Sequence, residues 1–196
     1  MHTLREHFAL YNSKLSFEEW LAKSNVEIKV HNGEEPLDGQ KFDRIICNMV
    51  LMLTEDPEKM LSSFHKEAEA GCLLGVTVWG KKELNKFHVE LANSVKELGF
   101  PAANIRSNFH LYQKVGELAE KAGWEVLVSW DQVASLPFLC VEAIEVNAEF
   151  ATSNMKALSE DQKKAVKEHY LAKMKEAFAR KEGLVMPAEL YVLRKK

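Results

Sequence analysis

The chain has 196 residues, of which 46% are hydrophobic and 28% charged, and its formal net charge is −3. That length suits one domain with a substantial buried core. The mild acidity excludes a long electrostatic contact with nucleic acid or an anionic membrane, and no apolar run is long enough to span a bilayer.

The first 25 residues mix apolar and charged side chains, and Ser16 with Glu19 forms an S-x-x-E pattern that predicts a helix over Ser16–Lys23. Val26–Val30 alternates apolar and polar residues as a half-buried strand does, and stops at the turn signal His31-Asn32-Gly33. Phe42–Cys47 is a short β-branched run, read as a buried strand. Asp56 as N-cap and Pro57 at the first helical position then open a helix. Its face is Met60, Leu61, Phe64 and Ala68, and Gly71 is placed to end it. Cys72–Trp79 is apolar nearly throughout and reads as a strand buried on both faces.

A helix over Glu83–Leu98 has the stripe Leu84, Phe87, Leu91 and Val95, and another over Tyr112–Ala122 ends at Gly123. Trp124–Trp130 is again a strand. Ser159 and Gln162 open a long helix with Val166, Tyr170, Met174 and Phe178 on one face, closed at Gly183. Leu190–Leu193 is the last predicted strand. Strand and helix in alternation predict an α/β sheet with helices on both faces, and the final strands, split by a helical insertion, predict an antiparallel C-terminal edge.

Basic residues gather from Lys163 to Lys181 and at Arg194–Lys196, but they alternate with Glu and Asp and read as a solvated helix face. Cys47, Cys72 and Cys140 lie far apart in apolar surroundings, with no CxxC pair and no histidine at metal-ligand spacing. Buried free thiols in a reducing compartment follow, and the N-terminus MHTLREHFAL lacks the apolar stretch of a signal peptide. These features predict a soluble, cytoplasmic protein without a metal site.

Two segments resemble one family. In residues 42–80 the pair Phe42-Asp43 opens a strand, Asn48 follows it, and a D-P-x-x-x-L helix (Asp56, Pro57, Leu61) leads through Gly71 to an apolar strand ending in Trp79-Gly80. In residues 108–130, NFHLYQKVGELAEKAGWEVLVSW, a helix ends in Ala122-Gly123-Trp124 before another strand. In this order and separation they resemble the later part of class I S-adenosylmethionine-dependent methyltransferases of the small-molecule, UbiE-like type, over about residues 26–196. The resemblance implies a Rossmann-like sheet in a single methyltransferase-like domain over 1–196. Within it, 1–25 would be an N-terminal remnant, 26–130 the core sheet and helices, 131–160 a cap or insertion, and 161–196 the C-terminal helix and strand. It further implies an enzyme that binds S-adenosylmethionine and methylates a small molecule.

Asn32-Gly33-Glu34-Glu35-Pro36 is similar to the loop that borders the adenine in that family. Asn32 stands where Asp is usual, Glu34 follows, and backbone at Gly33 would meet the ring. A plain polar turn is the alternative. Asn48, directly after its strand, is implied to face cofactor or substrate; as a polar residue at an element end it also reads as a cap.

The family's glycine-rich turn is missing: the nine glycines begin at Gly33 and no two form a GxG. The turn allows close backbone approach to the methionine portion, and the strand before it would be central in the sheet. Three accounts fit: a truncated form, a sheet closed around the gap with Val26–Val30 pairing Phe42–Cys47, or a non-catalytic interaction module. A homodimer or partner subunit would cover the exposed edges of an incomplete sheet.

No catalytic triad is required, because methyl transfer needs in-line positioning and often little more than a base. Asn48-Met49-Val50-Leu51 lacks the Asn-Pro-Pro-aromatic motif of relatives that methylate amino groups of bases or glutamine. His110, in Asn108-Phe109-His110-Leu111, lies where relatives carry substrate-cap residues and is the weak candidate for a base, with a structural role as the alternative. Trp79, Trp124 and Trp130 flank strands and read as core, while His65 and His169 read as surface residues.

Overall fold

The computed structural model describes residues 19, 22, 25–37, 39–101, 109–135, 141–153, 155, 157–180 and 185–196. It divides into two units, residues 1–32 and 33–196. In the first, Val26–Val30 has no regular secondary structure, and both valines are exposed. Alternation alone makes no strand, because five residues need a paired neighbour and a face to bury. Most of the helix predicted over Ser16–Lys23, together with Cys140 and Gly183, lies outside the described residues.

The second unit runs β1 (Phe42–Asn48), α1 (Pro57–Glu67), β2 (Ala68–Trp79), α2 (Lys86–Glu97), α3 (Val115–Lys121), β3 (Trp124–Ser135), α4 (Val141–Ser153), α5 (Glu160–Ala179) and β4 (Val185–Lys195). Short 3-10 turns precede α1 at Leu51–Leu53 and α2 at Lys82–Leu84. The fold is α/β, with an open sheet of four strands in the order β1-β2-β4-β3. β1 and β2 are parallel, in register at Cys47 with Val76, and β4 is antiparallel to both β2 and β3. The two final strands thus add an antiparallel margin to the parallel pair, as the sequence order suggested. β4 enters between β2 and β3, where both of its sides are hydrogen-bonded, and β1 and β3 are the edges. Strand pairing is a long-range choice that order along the chain does not specify.

Local signals set the elements. Asp56 accepts from the Lys59 amide at 2.9 Å with Pro57 at the first helical position. Ser159 and Gln162 close a reciprocal capping box at the head of α5. α1 ends at Glu67, short of Gly71, because the chain turns extended at Ala68 and joins β2. Gly71 serves within that strand at φ 77°, a left-handed value suited to glycine.

One face of the sheet holds Cys47, Leu74, Val76, Val78, Tyr191 and Leu193, buried against Met60 and Leu61 of α1 and Val115 and Ala119 of α3. Trp124 is also buried there, and its Nε1 donates to the Leu61 carbonyl at 3.0 Å. Lys195 Nζ donates to the carbonyls of His65 and Ala68 at 2.8 and 2.9 Å, placing a cation at the end of α1. His65 is not a plain surface residue: it meets Trp124 edge-on at 5.4 Å and lies over Gly123, where a Cβ would come within 3.0 Å of its Nε2.

The opposite face is open at its centre. Ile46 is 81% exposed, Val128 48% and Trp130 42%, and a Cβ on Gly75 would meet nothing within 4 Å. On this face Trp130 is exposed and is not the core residue it resembles.

A second core joins Phe87, Leu91 and Val95 of α2, Ile144 and Ala148 of α4, and Val166, Tyr170 and Met174 of α5. Phe178, expected on the same stripe, is exposed, and Ala177 is buried in its stead. Part of the basic run on α5 pairs across helices: Lys173 with Glu90 and Glu97, Lys175 with Glu145, and Lys167 with Glu149. His169 joins them at 3.4 Å from Glu97. No described helix is long and apolar enough to cross a membrane.

The two faces of the sheet predict opposite costs for aliphatic truncation. Leu193→Ala, at a fully buried site, should cost about 3 kcal/mol in urea unfolding, whereas Ile46→Ala should cost under about 0.5 kcal/mol.

Candidate functional site

The parallel strands β1 and β2 end at Asn48 and Trp79, on the edge where ligands enter an open α/β sheet. Asn48 Oδ1 accepts from the Thr77 hydroxyl at 2.5 Å, and that hydroxyl oxygen accepts from the Met49 amide at 2.9 Å. Met49 takes φ 56°, which turns the chain sharply into Leu51–Leu53, with Leu51 and Met52 buried below. Asn48 does not cap this turn, since Val50 holds the N-cap position without a side-chain bond. One end of its amide is fixed by Thr77, and the exposed Nδ2 has no acceptor among the described residues.

Glu34 is held to the protein. Its Oε1 accepts from the amides of Glu55 and Asp56 at 3.1 and 3.2 Å, and its Oε2 lies 3.8 Å from Lys59 Nζ. The carboxylate thus sits at the amino end of α1, where main-chain N–H groups and the helix dipole favour negative charge. Gly33 packs against the same helix: a Cβ there would reach 2.3 Å from the Met60 methyl. Asn32 is exposed and closes the first unit.

His110 lies exposed in the turn that precedes α3. The same turn is fastened to the sheet nearby. Glu189, only 7% exposed, accepts from the Gln113 amide at 2.8 Å, and Tyr112 donates to Asp131 at 3.2 Å.

The histidine enclosed near the strand ends is His88, in the first turn of α2. Its ring centroid lies 5.4 Å from Trp79 and 4.9 Å from Phe109, both contacts edge-on, and Trp79 and Phe109 are 5.9 Å apart. Asn85 caps α2 by accepting from the His88 amide through Oδ1 at 3.3 Å. Asn85 Nδ2 and His88 Nδ1 are both buried without a hydrogen-bond partner among the described residues. Each such group costs about 1–3 kcal/mol against a satisfied one. Sequence reading passed over His88 because it stands beside Phe87 in an amphipathic stripe; the only local signal was an Asn N-cap three residues earlier, shortly after Trp79-Gly80.

Burial lowers the His88 pKa below the ordinary histidine value, and the Lys82 charge adds to this. Burial also lowers that of His65, helped by Lys195 and opposed by the Gly123 backbone. A depressed histidine favours the neutral form in the fold, so its stabilisation is complete above the unfolded value of about 6.5 and is lost as pH falls below it. Urea midpoints should therefore drop between about pH 7 and 5, and His88→Phe should flatten part of that slope.

No protein-family model and no curated protein matches the chain. Solved structures align with it at low identity. The cyclase SpnF does so at 16% identity over 91% of this chain and 58% of its own, with a TM-score of 0.49. A protein of Galdieria sulphuraria assigned as a sarcosine dimethylglycine methyltransferase aligns at 13% identity over 91% and 63%, with a TM-score of 0.46. A SAM-dependent methyltransferase from Methanosarcina mazei aligns at 12% identity over 85% and 66%, with a TM-score of 0.44. The chain spans less than two thirds of the length of each of these three.

Proposed function

We propose that the chain is a class I methyltransferase-like protein that binds S-adenosylmethionine and takes part in methyl transfer to a small molecule. The observation that carries this reading is Asn48, fixed by Thr77 at the carboxyl end of the parallel pair with its amide donor turned away from that bond. It stands in the 42–80 segment that resembles the family, at the edge where such sheets take ligands. Free, buried Cys47 and Cys72 suit a cytoplasmic setting.

The residues present fit one border of the cofactor and not its whole length. Asn48 offers a donor, while Glu34 spends its carboxylate on α1, and no GxG turn lies in the sequence for the methionine portion. The described residues therefore assign no catalytic step to the bound group. Calorimetric titration of the full chain with S-adenosylmethionine or its demethylated product should show saturable binding, weakened about tenfold in Asn48→Ala by loss of one hydrogen bond. A folded protein that binds neither at millimolar ligand rejects the reading.

A second reading has its own support. The open face at Ile46, Val128 and Trp130 suits an interaction module whose sheet is covered by a second copy or another subunit. Light scattering coupled to size exclusion should then give a dimer mass, and a monomer at all concentrations ends the homodimer.

A further inference from the structure

Residues paired across a sheet point to the same face, so the strand registers lay out the open face in rows. Arg44 and Glu125 end one row, Ile46 and Val128 the next, and Asn48 and Trp130 the third. The middle row runs Ile46, Gly75, Val192, Val128, apolar from edge to edge with a notch at the glycine. We propose that this face is covered by the same face of a second copy of the chain, the two sheets stacked about a two-fold axis that runs along the strands between β2 and β4. The proposal rests on the interaction-module reading above and names the occupant and its orientation.

Such an axis exchanges β1 with β3 and β2 with β4, and keeps each row level with itself. Arg44 then stands over Glu125 of the second copy, Ile46 over its Val128, and Gly75 over its Val192. Opposite charges meet at both ends of the first row, twice by symmetry. The valine fills the notch, where a Cβ on Gly75 would meet nothing within 4 Å. A two-fold axis across the strands, in the same plane, fails on both counts. It would set Gly75 on Gly75, leaving a void beside a crowded pair of Val192 side chains, and Arg44 against Asn48 instead of a carboxylate.

Glu125 can take the second cation. The bonds it accepts from Arg194 both fall on Oε2, at 3.0 and 2.7 Å, which leaves Oε1 for the guanidinium of the second copy. Arg44 gives Nη1 to the neighbouring Asp43 carbonyl at 2.6 Å and keeps its other nitrogens for this contact. In the third row Asn48 meets Trp130 of the second copy. That contact covers the amide donor which the methyltransferase reading gives to the cofactor, so dimer and cofactor compete for this residue.

The test measures the molar mass of the full chain by sedimentation equilibrium, over a concentration series that reaches millimolar. The expected result is a monomer–dimer equilibrium that Ile46→Asp abolishes, since it buries an unpaired charge in each copy at the middle row. Arg44→Glu alone and Glu125→Arg alone should each weaken the dimer at least about tenfold, because each homodimer then holds two like-charge pairs. Mixing these two variants should restore association, because the mixed pair has both charges opposed again; damage to folding would not be repaired by mixing, and circular dichroism checks each variant alone. Dimer formation also ties stability to concentration, so the small cost of Ile46→Ala in urea should grow as the protein is concentrated. A wild-type monomer throughout overturns the proposal and leaves the interaction-module reading to another subunit. A dimer that Ile46→Asp leaves intact rejects the open face for both. A dimer lost in Ile46→Asp but not restored by mixing keeps the open face as the interface and overturns the orientation proposed for it.

Discussion

The second unit depends on β4, which pairs antiparallel with β2 on one side and β3 on the other. Without it β2 and β3 share no hydrogen bond, and the parallel pair β1/β2 would be a two-stranded ribbon, too small for independent stability. The strand also carries Tyr191 and Leu193 into the core, Glu189 to the turn before α3, and Lys195 to the end of α1. Four anchoring contacts thus reside in the last eleven residues of the sheet, and each reaches an element that is remote in sequence.

That arrangement locates the chemistry. With β4 in place, the parallel strands deliver Asn48 and Trp79 to the same edge, and α2 begins close by with Asn85 and His88. Polar groups at this edge fall into two kinds. Glu34, Thr77 and Glu189 have protein partners and hold turns in position, whereas Asn48 Nδ2, Asn85 Nδ2 and His88 Nδ1 meet none among the described residues. Of the second kind, the atoms of Asn85 and His88 are buried and bear a desolvation cost, whereas the Asn48 amide is exposed.

The helical core of α2, α4 and α5 adds a layer whose stability comes from apolar packing, with its ion pairs toward solvent. Exposed pairs of this kind contribute little each, about 0–1 kcal/mol. Their placement still explains the alternating charges of α5: several lysines answer glutamates on α2 and α4 across helix–helix contacts. The open sheet face has the opposite character, apolar and uncovered at Ile46, Val128 and Trp130.

Much of the fold was legible in sequence because the signals concerned are local. Asp56-Pro57, the Ser159/Gln162 box, the stripe Phe87–Leu91–Val95 and the apolar run Cys72–Trp79 each act within a few residues, and each marks a real element. The place of Asn48 at the end of its strand was legible for the same reason, within one residue. What only tertiary structure decided was which neighbours those elements meet. It put β4 inside the sheet, left Val26–Val30 without a strand, half-buried His88 while exposing His110, and engaged Glu34 at the head of α1. Burial and strand pairing arise from contacts between residues far apart along the chain, whereas caps and periodicity act over three or four residues, and that difference in range separates what the sequence determined from what it could not.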